Sequence, residues 1–273
     1  MKKPPLFFLL LLLVSALWAQ NRYALIIGNA EYPGQREKLP NTKNDTEAIY
    51  RVLKDELGYD VTLRSDLSQR AMTREIDAFV TRLKANRNSE GFFWYAGHAM
   101  EIDGDNFLLP TDVETESENL IKNTSLSVKQ LTKQLGGVGN KINVLVLDAC
   151  RVPPSVGGSS RALGDPSRVI KTLPIVEPDL FIIYSTASGT TASDGPANGN
   201  SPFAQAFLKN IRSMEPLQLM MGHVTTDTLA LTGQRQRPYT SGSLAWDTRS
   251  ALRGYNIPSI RTSDTGFRVA RNG

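Results

Sequence analysis

The chain has 273 residues, 40% of them hydrophobic and 21% charged, enough to bury a full core and typical of a folded soluble protein. One large domain, or one plus a tail, is the expected organisation. The formal net charge of +4 includes Lys2 and Lys3 of the leading segment; without them 29 basic face 27 acidic residues, a balance that does not call for nucleic acid.

Lys2 and Lys3 precede an apolar stretch from Leu6 to Leu17 that closes in Ala16-Leu17-Trp18-Ala19. This pattern predicts a secretory signal peptide over residues 1–19, cut after Ala19, and an exported, periplasmic or secreted, mature chain that stays off the membrane. The stretch is short for a spanning helix, an uncleaved anchor being the alternative. Residues 20–250 then form the main domain and 251–273 a tail.

Tyr23 to Ile27 is an apolar run closed by Gly28, and Asn44 with Glu47 three residues on predicts a helix start. That helix carries Ala48, Ile49, Val52, Leu53 and Leu57 and stops at Gly58. Asp60 to Ser65 reads as a strand; Met72, Ile76, Phe79, Val80 and Leu83 recur at helical spacing; Gly91 to Ala96 is strand-like again. Asp103-Gly104-Asp105 lies between two short apolar runs and predicts a hairpin. Leu126, Leu131 and Leu135 predict a helix, Ile142 to Leu147 and Leu180 to Tyr184 strands. A helix begins at Ser201-Pro202, and another spans Leu217 to Leu231. Strands apolar on both faces and alternating with helices predict an α/β fold, a mainly parallel sheet covered by helices.

In such sheets ligands bind beyond the carboxyl ends of the strands, and two scarce residues fall there. His98 follows the strand ending near Ala96, and Cys150, the single cysteine, follows the one ending near Leu147. An exported protein normally pairs its cysteines, and a lone one is either inert packing or a reactive thiol. Imidazole is the side chain suited to activate a thiol near neutral pH, so His98 and Cys150 are a candidate dyad, with structural roles as the alternative.

The segments "FFWYAGHAMEIDGDNFLLP" and "VLVLDACR" resemble the histidine and cysteine segments of the caspase-like cysteine peptidases, in particular bacterial members related to metacaspases and paracaspases. The resemblance extends to "YALIIGNAEYPG", "LPNTKNDTEAI" and "STASGTTASDGPANGNSPFAQAF", covering about Tyr23 to Trp246. It implies the caspase-like α/β/α sandwich, and a peptidase without metal chemistry in which Cys150 is the nucleophile and His98 handles the proton. The implied oxyanion hole consists of the main-chain N–H groups of Cys150 and Ala99. Glycine is usual at the second position, and alanine would tolerate a positive φ poorly there. Ala96 stands where metacaspases commonly have serine.

Metacaspase-like enzymes hold a basic P1 side chain with acidic residues, two of whose positions match Asp45 and Asp148. The resemblance thus implies a polypeptide substrate cleaved after Arg or Lys. Asp194 of "ASDG" is a third candidate, with an ordinary Asp-Gly turn as its alternative. No cofactor is required; calcium activation is an expectation of the metacaspase likeness, with Asp103 and Asp105 as weak candidate ligands. Arg151 to Pro178 is a Gly/Ser/Pro-rich loop whose Arg161, Arg168 and Lys171 are candidate self-cleavage points or solubilising charges. His223 and the methionines Met214, Met220 and Met221 read as structural. The tail from Leu252 to Gly273 resembles the closing stretch of formylglycine-generating-enzyme-like domains and reads as a remnant. Animal caspases pair through a sheet edge, whereas metacaspase-like proteins are usually monomeric, and the likeness to the latter implies a monomer. Two other readings stay open: an inactive caspase-like scaffold, favoured by Ala96 and Ala99, and a cysteine-dependent amidohydrolase acting on small amides.

Overall fold

A computed structural model of the protein describes residues 21–33, 38–149, 173, 177, 179–187, 192–213 and 215–243. Its spine is a six-stranded sheet in the order β2-β1-β3-β7-β8-β9, with β1 Arg22–Gly28, β2 Asp60–Ser65, β3 Glu90–Ala96, β7 Ile142–Asp148, β8 Leu180–Tyr184 and β9 Tyr239–Ser243. All neighbours are parallel except β8 and β9. A second, antiparallel sheet of β4 Ala99–Ile102, β5 Asp105–Leu108 and β6 Leu126–Ser127 follows β3.

The two-residue period of each strand divides the core. Ala24, Ile26, Phe92, Trp94, Val144, Val146, Phe181 and Ile183 face one side. There they meet α1 Asn41–Arg51, α5 Pro202–Asn210 and α6 Leu217–Leu231. Leu25, Ile27, Phe93, Tyr95, Leu145, Leu147 and Ile182 face the other, covered by α2 Gln69–Lys84 and α4 Val128–Gly136. Strands β3 and β7 are buried along their whole length, which is why they read as unbroken apolar runs. The result is the expected helix/sheet/helix sandwich.

Several boundaries differ from the sequence reading. Helix α1 starts at Asn41 and not Asn44; Asn44 lies inside it and spends its amide on Gly199 O at 3.2 Å, a long-range bond that imitates a cap signature in sequence. The helix then widens into a π-turn over Val52–Glu56 and ends before Gly58 at φ 68°, the glycine stop expected. Leu126 belongs to β6, paired with Leu108. Ser127 is the cap of α4, its hydroxyl accepting from Gln130 N at 3.0 Å. Helix α3, Glu118–Thr124, buries Ile121 alone and has too little periodicity to announce itself. Strand β9 is polar because it is an antiparallel edge.

The expected hairpin is present. Asp103 and Gly104 take φ 52° and 74°, the left-handed pair that joins two strands tightly. Asp103 pairs with Lys122 at 2.9 Å, which holds its carboxyl below the usual range. Asp105 accepts from Asn106 N and Lys129 N at 2.8 and 3.1 Å. Both carboxylates thus fasten the hairpin, and among the described residues no group of three or more metal-ligating side chains is found.

Candidate active site

The carboxyl ends of β1, β3 and β7 are level: Gly28 is opposite Ala96, and Ala96 opposite Asp148. His98 stands two residues beyond Ala96 in sequence, and Cys150 two residues beyond Asp148. Cys150 lies outside the described residues, as do Arg161, Arg168, Lys171, Met214 and the tail; Ala149, buried, is the last described residue before it.

Asp148 shares the phase of Val144 and Val146, so it belongs to the α1/α5 side of the sheet. Helix α1 enters that side close to the strand ends because Gly28 has no side chain: a Cβ there would fall 2.9 Å from Thr46 Cγ2. The buried stripe of α1 is Asn41, Thr42, Asp45, Thr46 and Ile49, polar at the end nearest the sheet edge and apolar further in. Asp45 and Asp148 are both 0% exposed and meet through one residue. The Ser201 N–H donates to Asp45 Oδ1 at 2.9 Å, and the Ser201 hydroxyl bonds Asp148 Oδ2 at 3.2 Å. Ser201 is also the cap of α5, within 3.1 Å of Ala204 N. The positive end of the α5 dipole is therefore turned toward two buried carboxylates, which offsets part of the cost of burying them.

Asparagines fasten the loop that carries the third candidate. Asn41 Nδ2 donates to the carbonyls of Asp194 and Pro196 at 2.7 and 2.9 Å. Asn200 Nδ2 donates to Asp45 Oδ1 at 2.8 Å. Asp194, half-buried, is followed by Gly195 at φ 79°; the hydrogen-bonded turn of this loop lies further on, where Gly199 N donates to Pro196 O at 3.1 Å. From the other side Gln236, 1% exposed, accepts from Ser193 N at 2.9 Å and donates to Ser185 O at 2.8 Å, locking this loop to the end of β8. Asn41, Asn200, Ser201 and Gln236 were not singled out for these duties in sequence. The signal available was the density of Asn and Ser at the ends of apolar runs, which looks the same in any turn.

His98, 3% exposed, sits between β3 and β4 at the turn made by Gly97. Its ring lies against Tyr32, centroids 4.5 Å apart. Ala99 opens β4 opposite Leu108. Leu109 N donates to His98 O at 3.0 Å; because hydrogen-bonded and non-bonded pairs alternate, the Ala99 N–H turns away from β5, toward the β4 edge. Ala99 is not among the residues with positive φ, so alanine in place of glycine carries no backbone penalty here. His223 is remote from this edge, on α6, exposed and 3.2 Å from Glu215. Met220 and Met221 are core residues.

Comparison with known proteins identifies the family. The family described as the caspase domain matches residues 21–247. The chain is 30% identical over 241 residues to the human mucosa-associated lymphoid tissue lymphoma translocation protein 1, covering 86% of this chain and 26% of that one. It is likewise 30% identical over 135 residues to the mouse homolog, covering 49% of this chain and 15% of that one. It thus spans about a quarter or less of the length of these curated relatives. Among solved structures it resembles caspase-1 from Spodoptera frugiperda with a TM-score of 0.58 at 18% identity, covering 83% of this chain and 90% of the other. A six-stranded sheet with its polar edge at Asp45, His98 and Asp148, together with the match over residues 21–247, places this chain in the caspase-domain family, on a cysteine-peptidase scaffold.

Proposed function

We propose that the protein is an exported cysteine endopeptidase that cleaves peptide bonds after Arg or Lys. Cys150 is the nucleophile, His98 the group that accepts and returns the proton, and the N–H groups of Ala99 and Cys150 stabilise the oxyanion. The observation that carries the reading is the convergence of Asp45 and Asp148 on the neutral Ser201. A guanidinium or ammonium brought by substrate makes charge-assisted bonds to such carboxylates, stronger than those from a hydroxyl or an amide. A negatively charged P1 side chain meets repulsion at the same place. Asp194, held beside Asp45 by Asn41, completes the pocket wall. The substrate is then a polypeptide with a basic P1 residue, the enzyme acts as a monomer, and calcium is an activator only.

The test is hydrolysis of matched Arg-P1 and Asp-P1 peptides by the chain starting at Gln20, with and without calcium, beside Cys150→Ala. Turnover of the Arg peptide alone, lost in Cys150→Ala, is the expected result. Turnover of small amides but of neither peptide would assign the scaffold to an amidohydrolase. No turnover at all, with Cys150 slow toward iodoacetamide, would make it a binding scaffold. Gel analysis of the same two proteins after long incubation decides whether Arg161, Arg168 or Lys171 is cut by the chain itself: identical intact bands exclude it.

A further inference from the structure

The turn that carries His98 is held on both sides by phenol groups from different strands' ends. Tyr32 lies in the loop after β1. Its place there is set by Asp66, which accepts from Ala30 N and Glu31 N at 2.8 and 2.9 Å. The Tyr32 hydroxyl oxygen accepts the His98 N–H at 2.9 Å and donates to Leu109 O at 3.0 Å. Tyr95, at the far side, reaches His98 O at 2.7 Å and Leu109 O at 2.8 Å, and the two hydroxyls are 3.2 Å apart. Asn29 Nδ2 adds a further bond to Leu109 O at 3.0 Å. The main-chain N–H of His98 is thus taken by a side chain where a regular antiparallel pair would have used Leu109 O, while its C=O accepts from both Leu109 N and Tyr95. Gly97 makes this arrangement sterically possible, since a Cβ there would stand 2.6 Å from the Tyr95 hydroxyl and 2.8 Å from that of Tyr32. Tyr32 does one thing more than Tyr95: its ring also packs on the imidazole.

We propose that Tyr32 is a positioning residue for His98, fixing through its hydroxyl the main chain from which the imidazole projects and through its ring the plane in which the imidazole stands. The proposal rests on the reading of His98 as the proton-handling group. A buried phenol is suited to the task because its oxygen accepts from the backbone while its proton is committed elsewhere. Packing alone would be served equally by phenylalanine.

Tyr32→Phe separates the two contributions, keeping the ring and removing the hydroxyl. Toward the Arg-P1 peptide, kcat is expected to fall about 10- to 100-fold with KM held within about twofold, the signature of a displaced catalytic group. The chain has two histidines, so the imidazole Cε1–H region of an NMR spectrum of untagged protein holds two resonances. That of His98 is expected to shift or broaden in Tyr32→Phe while that of His223, paired with Glu215 on the surface, stays in place. In the wild type, the His98 amide is expected to exchange with solvent as slowly as the amides of β3. An unchanged kcat together with an unmoved His98 resonance would overturn the proposal. So would a fast-exchanging His98 amide in the wild type, a measurement that remains decisive if the variant fails to fold. If wild-type protein shows no turnover, the peptidase reading fails by itself, and the NMR and exchange data still decide whether Tyr32 holds His98.

Discussion

The two ends of the central sheet bury carboxylates in opposite ways. Where the strands begin, Glu90 is met by the cations of Arg22 at 3.1 Å and Lys141 at 2.5 Å, and Arg22 also donates to Leu57 O at 2.8 Å. Where they end, Asp45 and Asp148 converge on one serine. The first arrangement is closed within the chain and serves the fold, fixing β1, β3 and the entry to β7 side by side. At the second the bonds described come from the neutral Ser201 and Asn200, the arrangement on which the proposed preference for a basic P1 side chain rests.

The largest effect that sharpens this contrast is expected from Asp148→Asn. It keeps a partner for Ser201 and removes the charge, so kcat/KM for the Arg-P1 peptide should fall by about 10³-fold, as for loss of a buried charge pair, with little change in Tm. A comparable fall in Tm would show that the carboxyl serves the fold instead. Glu90→Gln should do the reverse. Leaving Arg22 and Lys141 beside a neutral amide is expected to destabilise by about 2–3 kcal/mol, roughly 5–10 °C in Tm, with kcat/KM intact at temperatures where the variant is folded. Loss of activity without loss of Tm would break the comparison.

Gly97→Ala drives a methyl group toward the Tyr32 and Tyr95 hydroxyls. Its expected cost is about 1–3 kcal/mol, accompanied by a larger proportional loss of kcat than in Glu90→Gln; equal losses would place Gly97 with the structural edge. The smallest effect belongs to Arg212→Ala. The Arg212 guanidinium meets Glu56 through two contacts of 2.6 and 2.7 Å on the exposed surface and holds the Glu56 carboxyl below its ordinary value. A carboxyl lowered in the folded state contributes above its unfolded value and ceases to do so as pH falls through the folded one. The Tm difference between Arg212→Ala and wild type should therefore stay within about 2 °C at neutral pH and vanish below the ordinary glutamate range. Thermal melts across that pH range check it.

The strands and their order along the chain were legible because parallel strands buried on both faces leave continuous apolar runs, and His98 stood out for following one of them. What was not legible depended on contacts across long stretches of sequence. Asn44 carries a cap-like pattern with Glu47, yet its amide serves Gly199. Leu126 keeps helical spacing with Leu131 and Leu135, yet pairs with Leu108. Strand β9 has the polar composition of a loop because one side of it is the sheet's edge. At the site the same limit applies: Asp45 and Asp148 could be proposed from a family likeness, but Ser201, Asn200 and Tyr32 are ordinary residues in turn-rich sequence, and only folding shows what they touch.

The strand order has a consequence for how the protein breathes. His98 and Asp148 hang from β3 and β7, the innermost pair of the sheet, with β2 and β9 as its outer members. Fraying in a sheet starts from its margins. In native-state hydrogen exchange the amides of β2 and β9 should open in small local events, while those bordering the site should exchange only when the whole domain unfolds. The strands that carry the site should thus be present in full or not at all.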